Sequence, residues 1–275
     1  MTLRLAIQKV KVRRKADARQ IRKRTHKVIL GQGVNYPLPF YFVIIRFSWH
    51  LKLKGSYPFM NTTHTFTKLE EIVNSITHGI GALLSIAALV LLTVFSSIEG
   101  TVLHVVSFSI FGGTMLLLYV SSTLVHSFPA GKAKDIFEIM DHSSIYLFIA
   151  GTYTPFLFIV IKGWVGWTLF GVIWGLALLG VVFKIFFCKR FLYLSTILYV
   201  VMGWLIVFAW KPLVAGLPTG GLVLLVTGGI LYTIGTIFYV WRGFHYHHAV
   251  WHVFVLLGSV SHFFAVFLYV LPLNA

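Results

Sequence analysis

Two histidines, His248 and His252, stand four residues apart, so on a helix both rings leave one face a single turn apart. Ser122 and His126 share that spacing, and Glu71, Asn74 and His78 form a third one-sided stripe at i, i+3 and i+7. Two imidazoles from one helix and a third from another make the ligand set of a zinc ion with one open coordination position. His126, His248 and His252 can supply it, with Asp141 either holding a metal-bound water or accepting a hydrogen bond from outside the ligand set. Zinc lowers the pKa of a bound water to near 7, so hydroxide forms at neutral pH without a strong protein base. Plainer readings stand beside these. The Ser122 hydroxyl can bond its own helix backbone. Glu71 and Asn74 can simply cap a helix and suit its positive end. Of the 12 histidines, His104, His142 and His262 are expected to be hydrogen-bonded packing residues. His262 lies roughly 15 Å along the helix from His252, too far to share an ion. His245 and His247 fall in a short connection, where they bind metal adventitiously or face water.

The elements that must position these groups are membrane helices. Of 275 residues, 58% are hydrophobic and 11% charged, with a mean hydropathy of +0.86. Soluble domains average about 25% charged residues, so a soluble enzyme or a disordered regulator is excluded, and the single Cys188 excludes a disulfide scaffold. From Met60 onward, apolar runs alternate with breaks holding charge, Gly or Pro at 96–100, 129–135, 162–165, 188–190, 211–219 and 242–248. These delimit seven spans, at 76–95, 102–128, 136–161, 166–187, 191–210, 220–240 and 249–271, each long enough for a tilted helix across a ~30 Å core. The expected fold class is therefore an all-α, seven-transmembrane helix bundle. Gly171 and Gly175 predict close helix contact in the fourth span, and Pro155 predicts a kink in the third.

Loop charge sets a direction. Lys132, Lys134, Lys184, Lys189, Arg190 and Arg242 flank the second, fourth and sixth breaks, whereas the other three hold Lys162 and Lys211. Positive residues favour the cytoplasmic side, so the N-terminus is expected inside and the C-terminus outside. Glu71, Asn74, His78, Ser122, His126, Asp141, His248 and His252 then all lie at cytoplasmic span ends. Ionisable groups within a bilayer are costly, and four helices delivering them to one layer indicate a site.

Residues 1–59 carry 14 of the 23 Lys and Arg against one acid, Asp17, a net +13; residues 60–275 carry +3. A basic arm would touch anionic lipid or nucleic acid, and a targeting peptide would need an apolar stretch that is missing here. The abrupt change in composition favours a third reading, in which Met60 is the true start and residues 1–59 follow from an upstream start codon. No nucleic-acid partner is expected, and 60–275 is the functional domain.

The run Glu71-Ile-Val-Asn74-Ser-Ile-Thr77-His78 resembles the E-x-x-N-x-x-T-H motif of hemolysin III proteins and of the related progestin and adipoQ receptors. Ser122-Thr-Leu-Val-His126 is similar to their S-x-x-x-H motif, Asp141 falls where their third-helix aspartate falls, and His248-Ala-Val-Trp-His252 is similar to the closing H-x-x-x-H. The resemblance covers about residues 66–272. It implies zinc held by His126, His248 and His252 near the cytoplasmic face, Asp141 on the metal-bound water, and Ser122 placed to polarise a substrate carbonyl. Glu71, Asn74, Thr77 and His78 would support the ligands. The wider group includes alkaline ceramidases, which cleave a lipid amide. The receptor branch carries a soluble N-terminal region that residues 1–59 do not resemble, and the short loops favour the hemolysin III branch of a bacterial plasma membrane.

Two functions follow. One is a zinc-dependent hydrolase of a lipid amide or ester, with an apolar cavity for an acyl chain. The other is a cytolytic or pore-forming protein, or a regulator of membrane state with a structural zinc. The sequence has no ring of like charges or polar stripe through all depths, which a channel lining needs.

Overall fold

Thr67 and Glu70 begin the first helix. The Thr67 hydroxyl accepts the Glu70 backbone N–H at 3.3 Å, and the Glu70 carboxylate accepts the Thr67 backbone N–H at 2.8 Å. This reciprocal cap satisfies two otherwise orphaned donors. The computed structural model describes residues 66–273, so the basic stretch 1–59 and the expectation of a start at Met60 lie outside the described residues.

Among the described residues, seven helices are long and apolar enough to cross a bilayer: α1 (Lys68–Glu99), α2 (Val102–Ser127), α3 (Lys132–Ile161), α4 (Gly163–Phe187), α5 (Leu192–Gly216), α6 (Thr219–Val240) and α7 (His247–Val270). Every expected span finds its helix, with corrected ends. α1 starts eight residues before Ile76 because the Thr67–Glu70 cap supports two polar turns ahead of the apolar run. α5 runs through the expected break: a 3-10 segment, Leu205–Ala209, leads into a renewed α-helix at Trp210. Pro212 is tolerated there because it sits in the first turn, where its missing N–H has no intrahelical role. At Pro155 the expected kink takes the form of a change of hydrogen-bond register, α3 continuing as a π-helix over Phe156–Ile161.

α3 is the inner helix, buried along most of its length and packed on α2, α4 and α5. α1 packs on α2 and α7, and α6 on α7 and α5. Apolar side chains such as Leu83, Val90, Leu179 and Ile197 are exposed, while Ser85, Ser96, Ser107 and Ser195 are buried. That inversion suits a chain whose solvent is lipid.

Two expectations fail on α4. Gly171 and Gly175 are exposed, and a Cβ built on either meets nothing within 4 Å. The inward face is Ile173, Ala177, Gly180 and Lys184, and a Cβ on Gly180 would sit 2.5 Å from the Tyr146 ring. The spacing of small residues reveals a smooth surface without saying which way it faces. Gly180→Val is expected to lower thermal stability in detergent by about 1–3 kcal/mol through overpacking, and Gly175→Val to leave it nearly unchanged. Equal melting temperatures for the two variants would contradict this packing. Lys184, expected as a loop charge, is 1% exposed on the helix, its Nζ 6.0 Å from the Tyr199 ring centroid. It drops out of the loop-charge count.

Candidate metal centre

α2 delivers His126 from its last turn, and the ring is gripped from behind. Nδ1 donates to Glu71 Oε2 at 2.6 Å, and the other Glu71 oxygen, Oε1, accepts from Lys134 Nζ at 2.7 Å. The carboxylate fixes the Nδ1–H tautomer, leaving the Nε2 lone pair free. That Nε2 is buried with no hydrogen-bond partner among the described residues, which is costly in apolar surroundings unless something binds it. The Lys134–Glu71–His126 relay ties the first turns of α1 and α3 to the end of α2. Glu71 is thus not the helix cap that the plainer reading allowed; Thr67 and Glu70 do that work.

α7 delivers His248 and His252. The Thr77 hydroxyl gives its hydrogen to the Val73 and Asn74 carbonyls, both at 2.9 Å, and so accepts from His252 Nδ1 at 3.1 Å. The Asn74 carbonyl also accepts from that Nδ1, at 3.2 Å. His252 therefore carries its hydrogen on Nδ1 and keeps the Nε2 lone pair available, by the same logic as His126. His78 stacks on the His252 ring, with centroids 3.4 Å apart and planes 18° apart, and meets Tyr119 edge-on. His248 is held by aromatic contacts, its ring 5.1 Å from Phe66 and 6.0 Å from Tyr239.

These three rings converge. Ligand atoms of His126, His248 and His252 lie within 4.8 Å of one another, close enough to hold one metal ion. The orphaned His126 Nε2, the Nδ1–H tautomers of His126 and His252 and an all-imidazole donor set together fit such an ion. Asp141 lines the same space, and Ser122 is 1% exposed, its hydroxyl turned away from its own helix backbone and interacting with the Asp141 carboxylate. His78 lies outside the three-ring group and touches it through His252. The Asn74 amide atoms are buried without partners, so its contribution to His252 comes through the backbone.

The centre lies between two cavities. One, of about 120 Å³, runs inward among α3, α5, α6 and α7, with Phe148, Ile149, Val200, Trp204 and Val255 on its walls. The other is an open basin of about 860 Å³ with charged residues of both signs on its wall, among them Lys68, Arg190, Arg242, Asp135 and Glu138. Asp141, His142, Tyr239 and His248 line both. Outside the spans, a hydrogen bond to Asp135 holds the Lys189 ammonium above its ordinary pKa range.

The packing histidines behave as expected: His104 caps α2 with Thr101, His142 bonds the Glu138 carbonyl and His262 the Leu225 carbonyl. His247 does not face water. It is 2% exposed and bonds the Phe238 carbonyl at 3.1 Å. Sequence reasoning missed Glu70, whose Oε1 accepts the Tyr246 N–H at 3.1 Å and pins the loop that leads into α7. Tyr246 has φ 64°, a strained conformation for a side-chain-bearing residue. The Thr67-x-x-Glu70 signature was legible, but its second partner, 176 positions away, was not. Lys134 had registered only as loop charge.

Glu71→Gln tests the relay. The amide can still bond His126 Nδ1, but it carries no charge to strengthen that bond or to hold Lys134. Metal affinity is expected to fall about 10–100-fold, read by competition with a chromogenic chelator. An unchanged affinity would show that Glu71 does not tune His126.

Fold and site define a polytopic membrane protein with a three-histidine candidate metal centre at one end of its bundle. The family model described as Haemolysin-III related matches residues 66–263, and the chain belongs to that family. It is 59% identical over 204 residues to the Hemolysin-3 homolog of Bacillus subtilis (strain 168), covering 74% of this chain and 96% of that one. Hemolysin-3 of Bacillus cereus is 54% identical over 203 residues, covering 74% and 93%. The human Monocyte to macrophage differentiation factor is 28% identical over 167 residues, covering 58% and 68%. No solved structure matches. The seven apolar helices and these bacterial relatives make the chain a multi-pass cell-membrane protein.

Proposed function

We propose that the chain is a zinc-dependent hydrolase of a lipid amide or ester, acting at the cytoplasmic end of the bundle. One observation carries this reading: three imidazoles able to share an ion stand beside a buried serine and an aspartate, at the mouth of an apolar cavity. Imidazole donors with an open position suit zinc. Lys132, Lys134, Lys189, Arg190 and Arg242 gather at this end and Lys162 and Lys211 at the other, which supports a cytoplasmic site.

Bound there, zinc would supply a Lewis acid for the acyl carbonyl and acidify a water toward neutral pH. The chain's own groups do the rest. The inner cavity takes the acyl chain and excludes bulk water from it. Ser122 donates its hydroxyl hydrogen to the carbonyl oxygen as charge builds there. Asp141 takes a proton from the attacking water and passes it to the leaving nitrogen or oxygen. Hydroxyl thus adds to the acyl carbon as the C–N or C–O bond breaks. Glu71 and Thr77 hold His126 and His252 in the required tautomers.

The experiment is fatty-acid release by purified full-length protein, zinc-loaded or chelator-stripped, from a panel of acyl amides and esters in mixed micelles. Turnover lost on stripping and regained with zinc is the expected result. No turnover across the panel by fully zinc-loaded protein would overturn it.

A further inference from the structure

Five cations and four carboxylates line the basin, and the ion pairs among them engage only Lys134 and Lys189 of the cations. Glu71 is taken by Lys134 at 2.7 Å; Asp135 and Glu138 are taken by Lys189 at 2.7 and 3.2 Å; Asp141, the fourth carboxylate on the wall, lies deep beside the histidines and makes no ion pair among the described residues. Lys68, Arg190 and Arg242 also line the basin, and none has a carboxylate partner among the described residues. Lys68 and Arg190 are exposed, as flanking charges usually are. Arg242 is half-buried in the α6–α7 connection, six positions before His248. A guanidinium partly withdrawn from water without an anion is unfavourable. Its planar fork matches a phosphate bidentately. Charge placed only to orient the chain in the membrane has no reason to line a cavity beside the candidate centre.

Position adds to charge. Because Asp141, His142, Tyr239 and His248 line both cavities, one amphiphile can lay its chain inward and its polar end in the basin, with the bond between them at the histidines. We propose that the basin binds a phosphate-bearing headgroup of an acyl lipid, with Arg242 as the main contact and Lys68 and Arg190 at the rim. This rests on the acyl-lipid reading of the inner cavity and adds the class of headgroup.

The test measures binding and needs no turnover. Titrate full-length protein in a neutral maltoside detergent with a 1-O-alkyl-glycerol 3-phosphate, and with the same 1-O-alkyl-glycerol lacking phosphate. Neither ether has an acyl ester or amide to cleave, so a failure of hydrolysis and a failure of headgroup recognition remain separate results. The phosphate-bearing ether is expected to bind at least about tenfold tighter. Arg242→Gln should erase most of that difference and Arg242→Lys part of it, while Lys211→Gln, at the far end of α5, keeps it whole. Equal binding of the two ethers, or an Arg242→Gln variant that still discriminates, overturns the proposal. So does displacement of the phosphate ether by inorganic phosphate at matching concentration, which would mark a site for free anions.

Discussion

Alanine at position 252 is expected to leave the protein unable to retain its metal. His252 is 1% exposed and one of three imidazoles with ligand atoms within 4.8 Å of one another; Thr77 and Asn74 engage its Nδ1, which leaves Nε2 as the nitrogen available to a metal. A four-ligand zinc site is worth roughly 10–16 kcal/mol, about 3 kcal/mol per ligand. Losing one therefore weakens binding by about two orders of magnitude. Metal per chain, measured after dialysis against a chelator of intermediate strength, should fall from near one to a small fraction. His78→Ala is the matched control: it removes the ring stacked on His252 but no ligand, so most of the metal should stay. Full retention by His252→Ala would remove this residue from the ligand set, and with it the proposed centre.

The second large effect separates holding a metal from using it. Asp141→Asn keeps size and hydrogen bonding but removes the base. Asp141 lines both cavities and lies outside the three-imidazole group. Metal content should therefore stay near wild type while fatty-acid release falls about 10²–10⁴-fold, the usual worth of a positioned acid–base group. Undiminished turnover in a metal-loaded Asp141→Asn protein would take the proton transfer away from this residue. Loss of metal and activity together would instead make Asp141 a ligand.

Helix number and approximate ends were legible because burial in lipid demands long apolar runs with every backbone group satisfied internally. The i, i+4 pairs were legible because helix period alone puts Ser122 with His126, and His248 with His252, on single faces. Facing is another matter. Gly171 and Gly175 have the contact spacing yet meet nothing, and Lys184 sits near a helix end yet is buried against Tyr199. In a helix apolar on every side, no amphipathic stripe marks the inward face.

The amino-acid order by itself determined a seven-span membrane bundle, the family, and a short set of polar residues too costly to keep in lipid without a use. Only the tertiary structure decided their partners: Glu71 between His126 and Lys134, Thr77 behind His252, and Glu70 on the Tyr246 amide. Those bonds join positions 55, 63, 175 and 176 residues apart. Helical periodicity carries orientation along one element, whereas the choice of neighbour across the bundle is made by packing all the elements at once.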